Sequence, residues 1–153
     1  MSQITNDKEF KQALLSLDPV QQRVMAARFV EHVYELSNDE RIARVIKTAL
    51  RPEASAAELA EALKTAMAVA MDSYTRCGAE GSWHDQSAYF VARAAIAMVT
   101  PPEQSKAGGP AWQAAMSSRM ARTSMLIDEE SGDVSALPEN EWQYQLLSEY
   151  LAS

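Results

Sequence analysis

The chain has 153 residues, of which 47% are apolar and 23% charged, and its formal net charge is −7. This is the size and make-up of one ordinary globular domain, enough to bury a core without staples, and it excludes wholesale disorder and collagen-like repeats. A single cysteine, Cys77, excludes an intramolecular disulfide and any zinc site built from several thiolates.

Apolar residues recur at spacings of three and four along the whole chain, and no segment alternates apolar and polar over the length of a strand. The first helix is expected over Asn6 to Leu17, capped by Thr5 or Asn6, with Phe10, Leu14 and Leu17 on its apolar side. Asp18-Pro19 is a restart signal, an N-cap acid before a first-turn proline. The second helix then runs to Leu36 on Met25, Phe29, Val33 and Leu36. Ser37 to Glu40 has capping-box spacing and opens a third helix to Leu50, with Ile42, Val45, Ile46, Ala49 and Leu50 inward. Ser55 to Glu58 repeats that spacing. The fourth helix carries Leu59, Leu63, Ala66, Met67, Ala70, Met71 and Tyr74, and Gly78 is its expected left-handed stop. The fifth begins at Trp83 or Asp85 and ends at Val99. Its narrow face of Ala88, Ala92, Ala95, Ile96 and Val99 suits a central position.

Thr100 to Pro110 is the strongest breaker and the expected mobile loop. The sixth helix opens at Pro110 and carries Trp112, Met116, Met120, Thr123 and Ile127. A polar connection from Asp128 to Leu137 leads to a last helix on Trp142, Leu146, Leu147, Tyr150 and Leu151. The fold class is therefore all-α: one domain over 1–153, an antiparallel or orthogonal bundle of six to seven helices, with an acidic C-terminal segment at 124–153.

Charge is distributed unevenly. Met1 to Thr123 holds 14 acids and all 14 Lys and Arg, whereas the last 30 residues hold seven acids and no base. Phosphate contacts need Lys and Arg, so nucleic acid is not an expected partner, and a basic protein surface is. The candidate contacts are Asp128, Glu129, Glu130 and Asp133. Solubility is the plainer meaning of the same charges. Met1 to Lys11 has no basic patch leading into an apolar run, and the most apolar stretch, Thr65 to Met71, is far shorter than the roughly 20 residues a membrane helix needs. A cytoplasmic protein with no membrane segment is expected.

Several residues invite chemical readings. Cys77 and His84 could form a thiol–imidazole pair, but Cys77 falls near a helix C-terminus, which disfavours a thiolate. Trp83, His84 and Asp85 follow a glycine turn. Trp83 and His84, with Tyr89 and Trp112, offer a ligand pocket, His84 acting as base. Adjacent residues do not face one another on a helix, so Asp85 suits the dipole of its own helix better. His32 and Glu35 lie one turn apart but occur once and in reversed order for a di-iron bundle. The loop from Asp128 has its glycine at the fifth rather than the sixth place of a calcium loop. No metal and no cofactor are expected. Arg93, Arg119 and Arg122 could meet at an anion, against the usual fate of pairing with acids. Gly108-Gly109-Pro110 lacks the pattern of a phosphate loop. Met67, Met71, Met98, Met116, Met120 and Met125 suit core filling, or an adaptable groove.

These features favour a non-enzymatic helical protein-binding module, immunity- or adaptor-like in size, alanine content and acidity, that meets a basic partner through its acidic C-terminal surface. The alternative is a small-ligand protein or enzyme with a pocket near Trp83, His84 and Tyr89. A homodimer through one helix face is a third possibility.

Overall fold

The computed structural model describes residues 4–80, 83–128 and 137–152. Seven α-helices occupy them: α1 (Asp7–Leu15), α2 (Pro19–Val33), α3 (Glu40–Leu50), α4 (Ala56–Glu80), α5 (Trp83–Val99), α6 (Gly109–Asp128) and α7 (Leu137–Ala152). Single 3-10 turns at Tyr34–Leu36 and Pro102–Gln104 complete the set, and no strand occurs among the described residues. The protein is an all-α bundle. No helix among these residues is long and apolar enough to cross a membrane.

Local chemistry explains most of the helix starts. The Asn6 side chain accepts from the Glu9 N–H at 2.9 Å, and the Glu9 carboxylate accepts from the Thr5 N–H and hydroxyl. Asp18 and Gln21 form a reciprocal capping box ahead of Pro19. Ser55 and Glu58 do the same before α4, at 3.0 and 3.1 Å. The expected box at Ser37 does not form. The N–H groups of Ser37 and Asn38 both donate to Tyr34 O, closing the 3-10 turn after α2. Asn38 adopts φ 55°, and Asp39 caps α3 by accepting from the Arg41 N–H. Gly78 is likewise not a stop, because α4 continues to Glu80. Glycine permits the left-handed conformation without requiring it.

The centre is the α5–α6 pair, which packs antiparallel and more extensively than any other. Small residues make this possible: Ala88, Val91, Ala92 and Ala95 of α5 and Ala111, Ala114, Ala115, Ser118 and Ala121 of α6 are buried. The Ser87 hydroxyl donates to Ala121 O at 2.7 Å across the seam. Phe10 and Leu14 of α1, Met25, Phe29 and Val33 of α2, and Ile42, Val45 and Ile46 of α3 fill the flanks.

Two expected apolar stripes hold only in part: Leu59, Leu63, Ala66 and Ala70 of α4 and Trp112 and Met116 of α6 pack on the core as expected, whereas the remaining large residues of these stripes described by the structure turn outward. In α4 the buried face is Ala62, Ala66, Val69, Ala70 and Ser73, while Met67, Met71 and Tyr74 are 53%, 65% and 61% exposed. In α6 the alanines point inward and Met120 is 47% exposed. Close helix approach admits only small side chains, so the larger ones are displaced outward although they are the more hydrophobic.

Candidate functional site

The structure tests the expected site residues unevenly. Glu129, Glu130 and Asp133 lie outside the described residues, and Asp128 ends α6 with its side chain outside the described ones. Trp83 and His84 open α5, and their side chains are also outside. Tyr89 packs against Tyr74 and Phe90, with ring centroids 5.8 and 5.6 Å away, and its hydroxyl accepts from Arg93 at 2.8 Å. Trp112 packs against Phe10, with the Lys11 ammonium 5.1 Å from its ring centroid. Because Ser87 meets Ala121, Tyr89 lies level with the later turns of α6 and Trp112 with its first. That is a separation of about two helical turns, on the order of 10 Å. The two rings belong to separate clusters.

The three arginines do not converge on an anion. Arg93 is held by Tyr89. Arg119 is buried, donating to both Asp7 oxygens at 3.1 and 3.0 Å and to Gln143 Oε1 at 2.8 Å, with its guanidinium over the Phe10 and Tyr144 rings. Arg122 serves a third cluster. Its Nε donates to Glu139 Oε1 at 3.2 Å, its Nη2 donates to the His32 carbonyl at 3.3 Å, and its Nη1 lies 3.7 Å from Glu35.

That third cluster has the most chemical character. His32 Nδ1 lies 2.8 Å from Glu139 Oε2, and the Glu139 side chain is only 2% exposed. Trp142 stacks on the imidazole, centroids 3.5 Å apart and planes 7° from parallel. A cleft of about 460 Å³ opens beside them, lined by Arg28, Glu31, His32, Tyr34, Glu35 and Trp142. A buried carboxylate orienting an imidazole is half of a general-base arrangement. Here, however, the carboxylate is shared with Arg122, and Trp142 covers a ring face. The cluster therefore works as a fastening of α7 onto α2 and α6. His32 and Glu35 take separate partners, and no group of three or more His, Cys, Asp or Glu among the described residues is placed to hold a metal. In the sequence Glu139 is one of the seven surplus acids of the last 30 residues. Its partner His32 is 107 positions away, and no local signal announces the pairing.

The other notable surface is the outer face of α4. Ala57, Ala60, Lys64, Met67, Met71 and Tyr74 all lie exposed on it, at alternating spacings of three and four. This is a heptad seam with one polar position, on the opposite side of the helix from the buried Ala62, Ala66, Val69 and Ser73. Tyr74 continues it onto α5 through Tyr89 and Phe90. No family model matches the chain, and neither a curated protein nor a solved structure matches it.

Proposed function

We propose that the protein is a non-enzymatic protein-binding module, with the outer face of α4 as its apolar docking surface and the acid-rich C-terminal segment as an electrostatic contact. The observation that carries this reading is the outward placement of Met67, Met71 and Tyr74 on a helix whose other face is fully packed. Burying a large apolar side chain is worth about 1.5–3 kcal/mol, so three left in water are a reserve of association energy. Contiguous exposed apolar surface marks interaction sites, and methionine adapts to the surface it meets. Asp128, Glu129, Glu130 and Asp133 would attract a basic partner through their charge.

The test is quantitative capture from native cells with the wild-type chain and a Met67→Glu/Met71→Glu variant. Selective loss of captured protein, a second copy included, supports the reading. Charge reversal at Glu129, Glu130 and Asp133 is expected to slow association of a basic captured partner and flatten its salt dependence. Capture unchanged by the α4 variant overturns the apolar surface, and an unchanged rate and salt dependence overturns the acidic one.

A further inference from the structure

We infer that the occupant of the α4 face is a second copy of this chain, docked antiparallel about a twofold axis that passes between Met67 and Met71. The inference rests on reading that face as a docking surface, and it is the pattern of the seam that selects the occupant. The seam repeats over Ala57, Ala60, Lys64, Met67, Met71 and Tyr74 of the 25-residue α4. A heptad seam is the pattern one helix presents to another helix. A twofold contact requires the surface to complement itself.

In the antiparallel register Met67 meets Met71 of the second copy, so that two methionine layers flank the axis and adapt to each other. Lys64, the one charged seam position, meets Tyr74 of the second copy, where an ammonium over an aromatic face is favourable. Glu61 faces the uncharged Thr75, and the alanines at 57, 60 and 68 let the backbones approach. A parallel pairing does the reverse, setting Lys64 on Lys64. The charges thus permit one orientation and oppose the other. A contact of this length is small beside specific interfaces of roughly 1,200–2,000 Å², so a micromolar, concentration-dependent dimer is expected.

Sedimentation velocity of the full chain across a hundredfold concentration range tests this. Wild type is expected to pass from monomer to dimer. Met67→Glu/Met71→Glu is expected to stay monomeric with unchanged helical circular dichroism, and Lys64→Glu to weaken the dimer several-fold. Orientation is read in a Cys77→Ser background by oxidising Lys64→Cys and Tyr74→Cys chains, separately and mixed. Faster cross-linking in the mixture supports the antiparallel register, and faster self-linking of either chain overturns it. A wild-type chain that stays monomeric, or a dimer indifferent to the double glutamate variant, overturns the second copy. If the monomeric chain still loses a cellular partner through the α4 variant, the docking reading survives alone; if capture is also unchanged, both fail.

Discussion

The Arg119 guanidinium is buried between α1, α6 and α7, over two aromatic rings and within reach of Asp7 and Gln143. A buried cation is tolerable only while it is paired, and the penalty falls on whichever variant leaves it alone. Asp7→Ala is therefore expected to cost about 3 kcal/mol by stranding the guanidinium. Replacing Arg119 by Met in that background should recover part of the loss, because the charge goes and the packing stem stays. Urea unfolding of the two single variants and the double variant checks this, and simple additivity would sink it. Such pairings are not legible along the chain. Asp7 lies 112 positions from Arg119 and Glu139 lies 17 from Arg122, so both acids read as surface charge until the helices are docked.

At the scale of the helix, legibility depended on whether the cause was local. The caps at Asn6, Asp18 and Ser55 bond within three residues and were readable, whereas Ser37 was not, since its N–H was already committed to Tyr34 O. The methionines of α4 and α6 depart from the apolar spacing because hydrophobicity ranks methionine above alanine while the gap between close helices ranks them by size. Ala115→Leu is accordingly expected to destabilise by about 1–3 kcal/mol through overpacking, and Met120→Ala by no more than about 0.5 kcal/mol. Thermal unfolding compares them, and the opposite order would restore the methionine stripe as core. The start of α6 is constrained differently. Gly108 has φ +93°, and a Cβ there would fall 2.3 Å from Trp112 Cδ1. Gly109, at φ +86°, would meet only the Gln22 side chain, at 3.0 Å. Gly108→Ala should therefore cost more than Gly109→Ala, by about 1 kcal/mol or more, since both share the backbone penalty and one adds a clash with a packed ring.

For the molecule as a whole, an all-helical bundle was readable from spacing alone, but how its last helix is attached was not. Leu147 is the one fully buried apolar side chain of α7 among the described residues; Trp142, Tyr144, Leu146 and Tyr150 pack part-buried on the core, and a set of polar ties joins them. Glu139 takes His32 and Arg122, Gln143 takes Arg119 and donates to Ala115 O, the Tyr144 hydroxyl donates to Asp7 at 2.6 Å, and Ser148 accepts from the Ile4 N–H. Attachment by ionisable groups ties stability to pH. The hydrogen bond from Arg119 is the main reason the Asp7 carboxyl sits below its ordinary value, and the bond from Tyr144 adds to it. The bonds from Arg41 lower Asp39 in the same sense. Burial first, and then its bond to Asp7, raise the Tyr144 phenol. For the two acids the stabilising contribution is complete above the ordinary carboxylate value near 4 and is lost as pH falls through the depressed folded values. For Tyr144 it is complete below about 10 and is lost as pH rises through the raised folded value. Stability should therefore be level across the neutral range and decline on both sides. Urea unfolding followed against pH is expected to show a shallower acid limb in Asp7→Asn and a shallower alkaline limb in Tyr144→Phe. An acid limb equally steep in Asp7→Asn would mean that the charge of Asp7 does not help hold α1, α6 and α7 together.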